Sequence, residues 1–164
     1  MTQPRVLILM GSDSDAEVMR GAGSVLEEFG VTYEVHVASA HRSPERAMAL
    51  AREAEGRGVA VVIAGAGGAA HLAGVLAAHT ILPVIGVPVE SKHLRGLDSL
   101  LSTVQMPPGV PVATVGIDAA TNAGLLAVQI LALSDKTLAD KLREYRAGLA
   151  RKVESASDRL REKW

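Results

Sequence analysis

Two histidines in this chain stand where a proton could be given and taken. His41 lies in Ser39-Ala40-His41-Arg42-Ser43-Pro44, and His71 follows the nearly side-chain-free run Gly65-Ala66-Gly67-Gly68-Ala69-Ala70, with Leu72 next. Each segment directly follows an apolar, β-branched stretch. Histidine titrates at about pH 6.5 when unperturbed, so it serves as acid or base at neutral pH. Arg42 offers a planar fork suited to a phosphate or carboxylate. A third segment, Gly11-Ser12-Asp13-Ser14-Asp15, follows the apolar run Val6 to Met10. The Ser12 and Ser14 hydroxyls, with the unpaired N–H groups of a helix start, would accept a phosphate. Asp15 would repel one and is better suited to accept from ribose hydroxyls. Helix capping by Ser14 and Asp15 is the plainer reading beside it. For His41, satisfying loop backbone groups is the corresponding alternative. Glycines let a ligand approach backbone N–H groups closely. A phosphate cradle, a hydroxyl acceptor and a histidine fit a ribose phosphate whose base undergoes proton transfer.

The other histidines read differently. His36 falls inside a strand-like run and His79 late in a helical one, both structural places, and His93 lies in the polar run Glu90-Ser91-Lys92-His93. No His-Glu-x-x-His pattern and no Walker A lysine is present, so neither a metal nor ATP is expected. The absence of cysteine excludes disulfides, thiolate metal sites and cysteine nucleophiles, and suits a reducing cytoplasm. Aromatic residues amount to 2%, namely Phe29, Tyr33, Tyr145 and Trp164, which leaves little to stack a flavin or nucleic-acid bases. A net charge of −1 gives no argument for nucleic-acid or membrane affinity. The N-terminal stretch is too short for a signal peptide, and no apolar run approaches bilayer length. A cytoplasmic protein is expected.

The elements that must position these residues alternate along the chain. Strands are expected at Val6–Met10, Tyr33–Val37, Val59–Ala64, Pro83–Val87 and Val110–Val115. Helices are expected from about Ser14 to Phe29, Pro44 to Glu55, Ala69 to His79, through a stretch ending near Gln105, and from an Asp118 cap to Leu133. Such alternation, with strands apolar throughout, predicts an α/β protein: a three-layer α/β/α sandwich around a parallel sheet. Ligands in such sheets sit beyond the carboxyl ends of the strands, where all three segments would converge.

The segment 135–164 stands apart from residues 1–134. Leu138, Leu142, Tyr145, Leu149 and Val153 mark one apolar helical face, with Asp135 as N-cap. A helix of roughly 28 residues would span about 40 Å, more than one face of such a domain can bury. Either it frays into a charged tail or it packs on neighbouring subunits. Small-residue surfaces (Ala119, Ala120, Ala123, Ala127; Ala69, Ala70, Ala77, Ala78) would let helices of different subunits approach, and a homo-oligomer is expected.

These blocks resemble the class I N5-carboxyaminoimidazole ribonucleotide mutase family of bacterial purine synthesis. The resemblance rests on Met10 to Asp15, Ser39 to Pro44 and Ala64 to Leu72, with Gly86-Val87-Pro88-Val89, Asp98-Ser99-Leu100, Val104-Gln105-Met106-Pro107 and Asn122-Ala123 in support. It covers roughly residues 5 to 133; one departure is Ala73, where the family usually has proline. The resemblance implies a flavodoxin-like fold, a homo-octamer, no metal, ATP or biotin, and transfer of a carboxylate from the exocyclic nitrogen of an aminoimidazole ribonucleotide to ring carbon C4. It implies His41 as general acid and base and Ser12, Asp15 and Arg42 as substrate-binding, with Ser14 and Ser39 as helpers. Gly65, Ala66, Gly67 and Gly68 would hold the carboxylate or CO2, with His71 and Leu72 in support. Arg42-Ser43 and the intact glycine block set the chain apart from the related class II enzymes, which carboxylate aminoimidazole ribonucleotide directly with CO2. Direct carboxylation, a non-catalytic ribonucleotide-binding module and, more distantly, a flavodoxin-like electron carrier are the alternatives.

Overall fold

Five short runs of the sequence form one parallel sheet in a computed structural model that describes residues 3–164. Met1 and Thr2, part of the N-terminal stretch read above, lie outside the described residues. The strands are β1 (Val6–Met10), β2 (Tyr33–Val37), β3 (Val61–Gly67), β4 (Val84–Val89) and β5 (Ala113–Thr114), in the order β2-β1-β3-β4-β5. Every pairing is parallel. The helices are α1 (Ala16–Phe29), α2 (Pro44–Ala54), α3 (Leu72–Ala77), α4 (Leu97–Val104), α5 (Ala120–Ala132) and α6 (Lys136–Arg161).

Side chains alternate across a strand, so a strand covered on both faces must be apolar at every position. Val6, Ile8 and Met10 face α1, α5 and the start of α6, together with Ile63 and Ile85. Leu7 and Leu9 face α2 and α3, with Val62, Ala64 and Val84. All five residues of β1 are buried. This is the flavodoxin-like, doubly wound arrangement. The chain leaves β1 for β2 on one side and returns to β3 on the other, which makes the β1/β3 boundary the switch point.

Several elements depart from the sequence expectation for identifiable reasons. β2 is an edge strand and only half covered, with Val35 and Val37 exposed. β3 extends through Gly65-Ala66-Gly67, because these residues pair with Val87, Pro88 and Val89 of β4. α3 is shorter than the expected 69–79, and β5 shrinks to two residues. Asp118 does not cap α5: it sits at φ 55 and its Oδ1 accepts the Glu90 N–H at 2.8 Å. Ala120, Ala123 and Ala127 are buried inside the chain, where α5 meets α1, and Ala70 is likewise buried. A Cβ on Gly124 would stand 2.9 Å from the Ala22 carbonyl oxygen, so this close helix contact is made within one chain. Ala70, Ala120, Ala123 and Ala127 therefore serve the internal core, whereas Ala69 and Ala78 remain exposed and Ala77 and Ala119 half-buried.

Asp135 does cap α6, accepting the Leu138 N–H at 3.2 Å. Leu138 is buried, Leu142 and Tyr145 pack on the core, and the Tyr145 and Phe29 rings lie 5.7 Å apart. Beyond them the same face points outward, with Leu149, Val153 and Leu160 exposed. Among the described residues no helix is long and apolar enough to cross a membrane.

Gly65 shows how tightly the switch point is packed, since a Cβ there would lie 2.2 Å from Met19 Sδ. Gly65→Ala is expected to lower stability by about 1–3 kcal/mol, the usual cost of overpacking. Urea unfolding checks this, and combination with Met19→Ala is expected to cost less than the sum of the two single changes.

Candidate functional site

The carboxyl ends of β1, β2, β3 and β4 enclose a cavity of about 420 Å³. The first wall is a turn after β1. Ser12 Oγ accepts the Ser14 N–H at 3.4 Å, and Asp15 Oδ2 accepts the Ser12 N–H at 3.1 Å. This reciprocal bond is a capping box, so capping and site-building are here the same structure. Ser12, Ser14 and Asp15 all line the cavity. Asp15 is only 7% exposed. Burial pushes its carboxyl pKa above the ordinary value, and the Ser12 N–H, the Ser14 hydroxyl and the Arg42 guanidinium offset only part of that effect. A carboxylate desolvated on one side and open to a cavity on the other is a strong acceptor for ligand hydroxyls.

The second wall follows β2. Ser39 Oγ accepts the N–H groups of His41 (3.3 Å) and Arg42 (3.1 Å), and Ser43 Oγ accepts the Ser39 N–H at 2.9 Å. The two serines thus shape the turn that presents His41 and Arg42, before Pro44 opens α2 at a position where its missing N–H costs nothing. Arg42 Nη2 donates to the Gly11 carbonyl at 3.3 Å and so ties this turn to the one after β1.

The third wall is the glycine run. Ala66, Gly67, Gly68, His71 and Leu72 line the cavity, and Gly65 does not. Gly65 lies within β3 opposite Met10, and its carbonyl accepts the Gly11 N–H at 3.0 Å. The structure therefore gives it a place in holding the strand ends together. His71 Nδ1 lies 2.8 Å from His41 Nε2, with the rings edge to face at 86°. One of these two nitrogens must carry the hydrogen and the other must lack it. A proton taken or released by His41 is thus linked to the tautomer of His71.

Glu90 and Ser91, after β4, complete the lining and were not among the expected site residues. Their signal was positional: they directly follow a strand of the same sheet, at the same edge. Ser91 Oγ donates to the Asp98 carboxylate at 2.7 Å and, as the main cause, holds the Asp98 pKa below its ordinary value. His36 lies 3.6 Å from Glu34 on the sheet edge, His79 Nδ1 lies 2.8 Å from the Val75 carbonyl, and His93 is exposed, all outside the cavity. Among the described residues, no group of three or more His, Asp or Glu side chains is placed to hold a metal ion. The cavity combines one cation, a buried carboxylate, a hydrogen-bonded imidazole pair and a wall of bare backbone. It suits a small polar anion carrying hydroxyl groups and a group that changes protonation.

Comparison with known proteins agrees with this architecture. The family described as AIR carboxylase matches residues 5–152. The N5-carboxyaminoimidazole ribonucleotide mutase of Pyrococcus horikoshii is 59% identical over 160 residues, covering 98% of this chain and 90% of that protein. The protein of the same name from Bacillus subtilis is 57% identical over 160 residues, covering 96% and 99%. The crystal structure of Treponema denticola PurE superposes with a TM-score of 0.87 at 32% identity, covering 96% of this chain and 98% of the other.

A carboxyl pKa raised on folding means that the ionised form is disfavoured in the folded state. The cost of ionising Asp15 therefore sets in as pH climbs through its ordinary 3.8 and is complete above the folded value. Asp15→Asn removes that cost and keeps an acceptor for the Ser12 N–H. Its Tm at pH 7 is expected to equal or exceed that of the original chain, the difference closing in acid, while calorimetry with a ribose phosphate shows weaker binding.

Proposed function

Because the chain belongs to the AIR carboxylase family, we propose that it is an isomerase of purine biosynthesis. It converts N5-carboxyaminoimidazole ribonucleotide into the isomer carboxylated at C4. The observation that carries this reading is the meeting of His41, Arg42, Asp15 and the glycine run in one cavity.

The residues divide the work by their chemistry. Arg42 and the hydroxyls of Ser12 and Ser14 bind the phosphate, assisted by Ser39, whose bonds shape the Arg42 turn. Asp15 accepts from the ribose hydroxyls. His41 delivers a proton to the exocyclic nitrogen as its bond to the carboxyl carbon breaks and CO2 forms. The backbone of Gly67 and Gly68, with Ala66 and Leu72 beside it, retains that CO2 next to C4. Carbon C4 then attacks CO2 to form the new carbon–carbon bond, and His41 takes up the C4 proton, so it ends in its starting state. His71 holds the His41 ring through the 2.8 Å contact. Trapping CO2 in place converts a second-order encounter into an effectively unimolecular step.

The exposed apolar face at the far end of α6 supports a homo-oligomer, and the family resemblance supports eight chains in a cytoplasmic enzyme. Light scattering is expected to give an eight-chain particle, and deletion of residues 147–164 a smaller one.

The decisive assay follows conversion of N5-carboxyaminoimidazole ribonucleotide to its C4 isomer without added bicarbonate, metal or ATP. The original chain is expected to turn over, and His41→Asn to lose about 10²–10⁴-fold of the rate, the usual worth of a positioned acid–base group. Turnover only from aminoimidazole ribonucleotide plus CO2 would assign the chain to direct carboxylation. Tight ribonucleotide binding with no turnover on either substrate would make it a binding module. Full activity in His41→Asn would put the proton transfer on another group.

A further inference from the structure

The cavity wall at Gly68-Ala69-Ala70 has no side chain larger than a methyl with which to anchor itself. Gly68 adopts φ +64, and a Cβ built on it would meet nothing within 4 Å. His71 follows directly, so the place of its imidazole depends on what holds this stretch of backbone. The restraint comes from α4. The Ala70 N–H donates to Ser102 Oγ at 2.9 Å, and Ser102 passes its own hydrogen to the Asp98 carbonyl one turn back at 2.7 Å. The same oxygen lies 3.3 Å from the Gly68 carbonyl, and Thr103 Oγ1 lies 3.4 Å from the Ala70 carbonyl.

α4 is itself fixed against the sheet. Thr103 Cγ2 fills the space where Gly86 lacks a side chain, 2.4 Å from the position of a Cβ. Ser99, fully buried, donates to the Val89 carbonyl at 2.7 Å. Beyond the strand pairing that ends at Gly67, α4 thus holds the Gly68–Ala70 backbone through the Ser102 and Thr103 hydroxyls, and neither residue lines the cavity.

We propose that Ser102 is a positioning residue for the carboxylate transfer: through the Ala70 N–H it holds the backbone wall and His71 where CO2 must be retained between the two bond changes. This rests on the reaction assigned under Proposed function. Loosening the wall by an ångström or so harms the step that needs trapped CO2 more than it harms binding, since phosphate and ribose are held by the other two walls.

The test compares Ser102→Ala and Ser102→Thr by kcat, KM and exchange of the substrate's labelled carboxyl group with unlabelled CO2 in solution. Ser102→Ala is expected to lower kcat between about 10- and 100-fold, as small misplacements do, with KM within about twofold. It is also expected to raise label exchange several-fold per turnover. Ser102→Thr keeps the hydroxyl and is expected to restore both quantities. Ser102→Cys preserves volume with a poor acceptor and serves if the alanine variant does not fold; the same rise in exchange is expected. Original-level kcat and exchange in the alanine or cysteine variant would overturn the role of Ser102, as would a loss that threonine does not rescue. Absence of isomerisation by the original chain would instead remove the assigned reaction, which separates the two failures.

Discussion

The amide of Gly11 donates to the carbonyl of Gly65, and the amide of Ala38 donates to the carbonyl of Met10, so the end of β1 is bonded to both neighbouring strands at once. These two backbone bonds set the distance between the three segments that carry Ser12, His41 and Gly67. They form only because β2 and β3 flank β1, and that order arises because the chain crosses back over β1 after β2. The exclusion of a side chain at Gly65, enforced by Met19 behind it, belongs to the same constraint. Arg42 adds a side-chain tie across the gap by donating to Gly11.

The cavity is also electrostatically economical. Its one buried carboxylate, Asp15, is held by an N–H of the turn it caps, so the cost of burying it is partly met by the fold itself. The guanidinium of Arg42 bonds to a carbonyl and not to a carboxylate, which leaves its charge available to an incoming anion. A full ion pair between the two would have stabilised the empty site at the expense of binding. The two histidines meet each other across the cavity mouth, where both remain open to solvent.

Much of this was legible in the residues. β1 was clear because a strand buried on both faces must be apolar at consecutive positions. The end of α1 was clear because Gly30, at φ 73, closes it with its amide on the Glu27 and Leu26 carbonyls. The site segments after β1, β2 and β3 followed from polar or glycine-rich runs behind apolar ones. What could not be read locally depended on partners distant in sequence. Gly65-Ala66-Gly67 looks like a loop and becomes strand only because β4 pairs with it. Ala69 and Ala70 look helical, yet the Ser102 hydroxyl takes the Ala70 amide and α3 starts later. Asp118 has the residue type of a cap, but its carboxylate is drawn to Glu90 in another loop. The alanine stripe of α5 reads as a surface for another subunit until α1 is seen to fill it. The pairing of His41 with His71 had no local signature at all.

The bare backbone between Gly67 and Ala70 has a consequence of its own. Amide groups are dipoles without an ionisable proton, so the field this wall casts into the cavity does not change with pH. Gly67-Gly68-Ala69-Ala70 also carries no nucleophilic side chain to be alkylated or acylated, and no side-chain rotamer to change. Variation with solution conditions is thereby left to His71 and to a few side chains on the facing turns. The stretch from Gly67 to Ala70 behaves as a fixed electrical surface, and the side chains around it as the adjustable one.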